Sequence, residues 1–105
     1  MKEFINQLEN FLGIIDNVVN EVERNNNFNL IPELMNLLEV IIPNIFSVNN
    51  DIVIFNNEDI INILDDIVNA YENNDSVLMT DVLRYGLYEN VDKLIKAIKE
   101  GNLYE

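Results

Sequence analysis

The residues best equipped for chemistry are acidic. Glu58, Asp59, Asp65, Asp66 and Glu72 fall close together, with no Lys or Arg among them. Grouped carboxylates bind hard cations such as Ca²⁺ or Mg²⁺ when a loop converges their oxygens around a turn glycine. Here the polar stretches Asn49-Asn50-Asp51 and Asn57-Glu58-Asp59 flank an apolar centre that contains no glycine. The cluster therefore reads as a solvated acidic surface, and no metal is expected. Paired carboxylates also hydrolyse glycosides, but that reaction needs a cleft that a small helical bundle rarely encloses.

Other reactive sets are missing from the composition. The chain has no histidine and no cysteine, which removes the usual general base near neutral pH, thiol nucleophiles, disulfides and zinc sites of the ordinary kinds. Ser47 and Ser76 are the only serines and read as turn or capping residues. The glycines Gly13, Gly86 and Gly101 are scattered, so no phosphate-binding loop can form. No catalytic residue and no cofactor is expected, and the chain does not read as an enzyme.

Charge narrows the partners. Six Lys plus Arg stand against nineteen Asp plus Glu, a formal net charge of −13. The excess lies in residues 1–83, where Lys2 and Arg24 are the only cations; residues 84–105 are balanced. Such a field repels nucleic-acid backbones and anionic membranes and attracts basic proteins. No window is long and apolar enough to span a membrane, and the N-terminus lacks a basic, then apolar, leader pattern. A cytoplasmic protein is expected.

The elements that would carry these residues follow from apolar spacing. Phe4, Leu8, Phe11, Ile15, Val18 and Val22, with Ile5, Leu12 and Val19 beside them, predict a helix whose solvent face holds Gly13. The run Arg24-Asn25-Asn26-Asn27 ends it, and Asn29 is placed to cap the next helix. Residues 30–48 are the most apolar stretch, with twelve of nineteen residues hydrophobic, and predict the central wall of the core. Leu34, Leu38, Ile41 and Ile45 centre its buried face, while Val40 lands among polar residues on the outer one. Pro43 should kink this helix or end it a turn early. A short apolar run, residues 52–55, is expected to tuck against the bundle.

The third helix starts near Glu58, capped by Asn56 or Asn57, and should bury Ile60, Leu64, Ile67 and Tyr71. Asn73-Asn74-Asp75 makes a tight turn into a fourth helix from about Ser76 to Glu100, closed by Gly101, with Leu103 and Tyr104 beyond it. This last helix is irregular. Its apolar side is Leu78, Met79, Val82, Leu83 and Tyr85 at first, then Leu87, Val91, Leu94, Ile95 and Ile98, roughly half a turn away. Either the helix kinks near Gly86 or its two halves pack against different neighbours. The whole predicts a single-domain, all-α, four-helix up-and-down bundle over residues 1–105.

The stretch 70–95 also resembles the C-terminal half of a group of small, acidic, uncharacterised helical proteins from Gram-positive bacteria. The matching positions are Ala70, Glu72, Asn74, Asp75, Val77, Leu78, Asp81, Leu83, Tyr85 and Leu87. That group has Glu after the Tyr where this chain has Gly86. The resemblance implies a small helical domain and no activity.

Function is then expected to lie in protein binding. Apolar surface left over from the second and fourth helices, at Leu37, Val40, Tyr85 and Tyr88, would serve an accessory or chaperone-like interaction module, because Tyr is enriched in interface hot spots. Two alternatives follow from the same residues: an acidic decoy or inhibitor of a basic nucleic-acid-handling protein, and a homodimer that consumes the apolar surplus.

Overall fold

The computed structural model describes residues 2–49 and 57–100, without the side chains of Val48, Asn49 and Asn57. It is an all-α four-helix up-and-down bundle. The helices are α1 (Lys2–Asn25), α2 (Ile31–Asn49), α3 (Asn57–Glu72) and a composite fourth run: α4 (Ser76–Asp81), a π-helical segment (Val82–Tyr88) and α5 (Glu89–Glu100). Its longest dimension, 41 Å, is close to the roughly 36 Å that a helix of α1's length spans at 1.5 Å per residue. The expectations about residues 52–55, the Asn56 and Asn57 caps, Gly101, Leu103 and Tyr104 lie outside the described residues or side chains.

The central element is α1, not the more apolar α2. α1 packs against α2, α4, the π segment and α5, whereas the packing of α2 is chiefly on α1. The reason is distribution. α1 gathers most of its apolar residues on one stripe, with Ile14 outside it, and buries Ile5, Leu8, Phe11, Ile15, Val18, Val19 and Val22. α2 spreads its apolar residues around the helix: Ile31, Leu34, Leu38, Ile41 and Ile45 are buried, but Leu37, Val40 and Phe46 face solvent. Apolar density therefore measures surplus as well as burial.

Local chemistry sets the turns. Asn26 closes α1 in the left-handed region (φ 50°), a conformation that Asn tolerates better than most residues. The linker is organised by Asn27 rather than Asn29: its Oδ1 accepts the Asn29 N–H at 2.9 Å, and its Nδ2 donates to Glu21 at 3.1 Å. Asn25 also donates to that carboxylate, and these two hydrogen bonds, Asn27's first, hold the Glu21 pKa below its ordinary value. α2 runs through Pro43 to Asn49 instead of stopping early. Pro43 sits on the exposed side of the helix, where water can satisfy the Glu39 carbonyl that its ring leaves without a donor.

In α3 the buried face is Ile60, Ile63, Ile67 and Ala70, with Leu64 half-buried. Tyr71, expected in the core, is 41% exposed. Its place toward the interior is taken by Ala70, which is fully buried and lets the α3–α4 turn come close.

Candidate functional site

The site is built by the turn after α3 and by a change of register in the fourth run. Asn74 takes φ 50°, the Asp75 N–H donates back to the Ala70 carbonyl at 2.9 Å, and the Asp75 carboxylate caps α4 by accepting the Leu78 N–H at 3.0 Å. This reversal packs α3 beside both α4 and the π segment.

With Tyr85 exposed and Leu78 half-buried, the early buried set reduces to Met79, Val82 and Leu83. On an α-helical wheel these point about 110° away from Leu87, Val91, Leu94, Ile95 and Ile98, close to the 100° contributed by one residue. The fourth run thus carries one residue more than a continuous α-helical seam would use. The π turns absorb it. The Glu89 N–H reaches the carbonyl of Arg84, five residues back, so the wider turn brings both buried sets onto the core. The half-turn offset predicted near Gly86 is real in kind but smaller, and a π segment rather than a Gly kink resolves it.

Gly86 lies inside this segment. A Cβ there would come within 3.3 Å of Ile63 Cγ1 and of Val82 Cγ2, so the missing side chain permits close packing on α3. The Asn90 amide donates to the Gly86 carbonyl.

Between α3 and the π segment opens a cleft of about 440 Å³. Ile63, Leu78 and Val82 supply its apolar lining, Asp59 and Asp66 lie one heptad apart on α3, Asp81 comes from α4, and Tyr85, 62% exposed, stands at its side. On the other flank of the π segment a second cleft of about 390 Å³ faces α1, lined by Ile15, Val19 and Tyr88 and by the charged side chains Asp16, Arg84 and Glu89. Arg84 forms an ion pair with Glu23 of α1.

The expected partner face is therefore distributed. Tyr85 and Tyr88 line opposite flanks of the π segment, and neither Leu37 nor Val40 lines either cleft. The acidic set also divides. Asp59 and Asp66 line the α3–π cleft, while Glu58, Asp65 and Glu72 recur at heptad spacing as an exposed row beside them. Among the described residues no three acidic side chains converge closely enough to hold a metal ion. Sequence reasoning missed Asp81, Leu78 and Asn90 as site residues. The available signal was the seam offset of about one residue, which marks a π turn and so fixes which side chains flank it.

The molecule is thus an acidic helical bundle with an open, carboxylate-rimmed cleft beside a π segment. The chain belongs to a family described as a domain of unknown function, DUF8042, which it matches over residues 1–97. No curated protein and no solved structure matches it.

Proposed function

We propose that this chain is a non-enzymatic protein-interaction module of the bacterial cytoplasm, in an accessory or chaperone-like role, whose ligand face is the cleft between α3 and the π segment. The observation that carries this reading is the one-residue register excess. A continuous helix would bury the same side chains without it, and the extra residue falls where Tyr85 stands largely exposed beside an apolar-lined cleft. π turns recur at functional sites, and an exposed Tyr over apolar surface has the make-up of a binding anchor.

The test is affinity capture from a lysate of the source cells, comparing the chain with Tyr85→Ala and with Val40→Asp. A protein retained by the chain and by Val40→Asp but lost with Tyr85→Ala supports the reading. Identical captured sets for the chain and Tyr85→Ala would sink it. Capture abolished only by Val40→Asp would move the ligand face to α2.

A second reading, an acidic decoy that occupies a nucleic-acid-binding surface, is favoured by the charge map. Residues 57–83 hold seven acidic side chains and no basic one. It requires release of the captured protein at moderate salt and competition by duplex DNA or RNA. The homodimer alternative gains no comparable support, since each copy would bring a charge of −13 to the other.

A further inference from the structure

Resting on the proposed binding face, the chemistry of the α3–π cleft identifies what it takes. Its lining is apolar at Ile63, Leu78 and Val82. Asp66 and Asp81 bring carboxylates from two different helices, and among the described residues neither is engaged in an ion pair or a side-chain hydrogen bond. Among residues 57–90 the single cation is Arg84, and it pairs with Glu23 of α1. A ligand that matches these features needs an aliphatic stem and a positively charged end. A bare metal ion lacks the stem, and among the described residues no three acidic side chains lie close enough together to hold one.

We propose that the cleft is a receptor for one arginine side chain presented by an amphipathic helix of a partner protein. The methylene stem lies on Ile63, Leu78 and Val82, and the guanidinium reaches Asp66 and Asp81 beside the Tyr85 ring. Arginine fits better than lysine for three reasons. Its planar fork can engage two carboxylates at once, it stacks on aromatic rings, and it is more weakly hydrated. A cation beside Tyr gains further attraction from the ring. The apolar flanks of the partner helix would cover the exposed Tyr85 at the side of the cleft.

The experiment uses the full chain and a short Ala/Leu-based helical peptide with one central arginine, followed through backbone amide shifts in two-dimensional NMR spectra. Matched peptides carry citrulline, the neutral isostere, or lysine. Saturable shifts centred on Ile63, Val82, Gly86 and Asn90 are expected for the arginine peptide, with binding about tenfold weaker for citrulline and measurably weaker for lysine. The double variant Asp66→Asn/Asp81→Asn should lose binding, whereas Asp65→Asn, an exposed charge outside the cleft, should keep it. Circular dichroism checks that each variant is folded.

Equal binding of arginine and citrulline peptides overturns the proposal, as does an Asp65→Asn effect as large as that of the double variant. Lysine binding as tight as arginine overturns the guanidinium assignment. If these peptides fail while Tyr85→Ala still abolishes partner capture, the binding face stands and the arginine receptor falls. If Tyr85→Ala also leaves capture intact, both fall.

Discussion

α1 and the fourth helical run are nearly equal in length, each carries one interior glycine, and they solve the same burial problem differently. α1 keeps a single register from Ile5 to Val22, and its Gly13 faces open space with nothing within 4 Å of where a Cβ would stand. The fourth run shifts register once, and its Gly86 lies against Ile63 and Val82. The difference teaches that register, alongside apolar content, decides where a helix presents surface. A helix in one register can still expose apolar side chains, as α2 does at Leu37, Val40 and Phe46; the register shift adds Tyr85, which stands outside both buried seams of the fourth run.

Deleting one residue from each helix should break this comparison most sharply. Removal of Gly13 turns Ile15, Val18, Val19 and Val22 by about 100° away from the core. Losing four buried aliphatic side chains at roughly 2–5 kcal/mol each removes about 8–20 kcal/mol, as large as the roughly 5–15 kcal/mol by which a domain of this size is usually stable, so the cooperative melt should be lost or fall far in temperature. Removal of Tyr85 should do the opposite. It aligns Met79, Val82 and Leu83 with Leu87, Val91, Leu94, Ile95 and Ile98 in one α-helical seam, so that variant should fold with a cooperative thermal transition by circular dichroism. Equal damage from the two deletions would show that the π segment is structurally required and not a removable insertion.

Substitution at the two glycines sharpens the point with smaller effects. Gly13→Ala should stabilise the fold by about 1 kcal/mol, since it adds helix propensity and meets nothing. Gly86→Ala gains the same propensity but presses its methyl against Ile63 and Val82 at 3.3 Å, an overpacking cost of about 1–3 kcal/mol. Its net change should lie between about zero and 2 kcal/mol of destabilisation. Urea unfolding of both variants measures this. A stabilising Gly86→Ala would mean that α3 yields easily there.

The turn that positions the cleft should come next. Asp75→Ala removes the side-chain acceptor of the Leu78 N–H, and about 1 kcal/mol should be lost in urea unfolding. Val40→Asp, on the exposed side of α2, should change stability by no more than about 0.5 kcal/mol.

Much of this was legible from spacing because helix burial repeats with a fixed period. Leu34, Leu38, Ile41 and Ile45, and most of the α1 stripe, lie buried as their intervals predict, and Val40 lies exposed. What escaped depends on three-dimensional neighbours. The intervals of α2 put Val40 at the surface, but they do not show that α1 rather than α2 would be the central helix, because centrality depends on how many helices surround an element. Tyr71 has the spacing of a core residue, yet Ala70 is the residue that the α3–α4 reversal buries. The site was half legible: Asp59, Asp66 and Tyr85 stood out by type, but their assembly with Asp81 depends on α3 lying beside the π segment. The proposed union of Leu37 and Val40 with the tyrosines had no periodicity behind it, and neither residue lines the clefts the tyrosines flank.

The smallest expected effect lies at the end of α1, where order comes from asparagine side chains instead of apolar burial. Asn27 and Asn25 both donate to the Glu21 carboxylate, and this lowers its pKa in the folded protein. A folded pKa below the unfolded value gives a contribution that is fully present above the unfolded pKa and fades as pH falls through the folded one. Asn27→Ala removes the larger of the two causes. In a carboxyl NMR titration the Glu21 midpoint should therefore move up toward the ordinary Glu value. The stability difference between the chain and this variant should be constant near neutral pH and shrink in acid, once Glu21 is protonated in both. An unchanged Glu21 midpoint would show that Asn27 organises the turn only through its bond to the Asn29 N–H, with no share in the charge of α1.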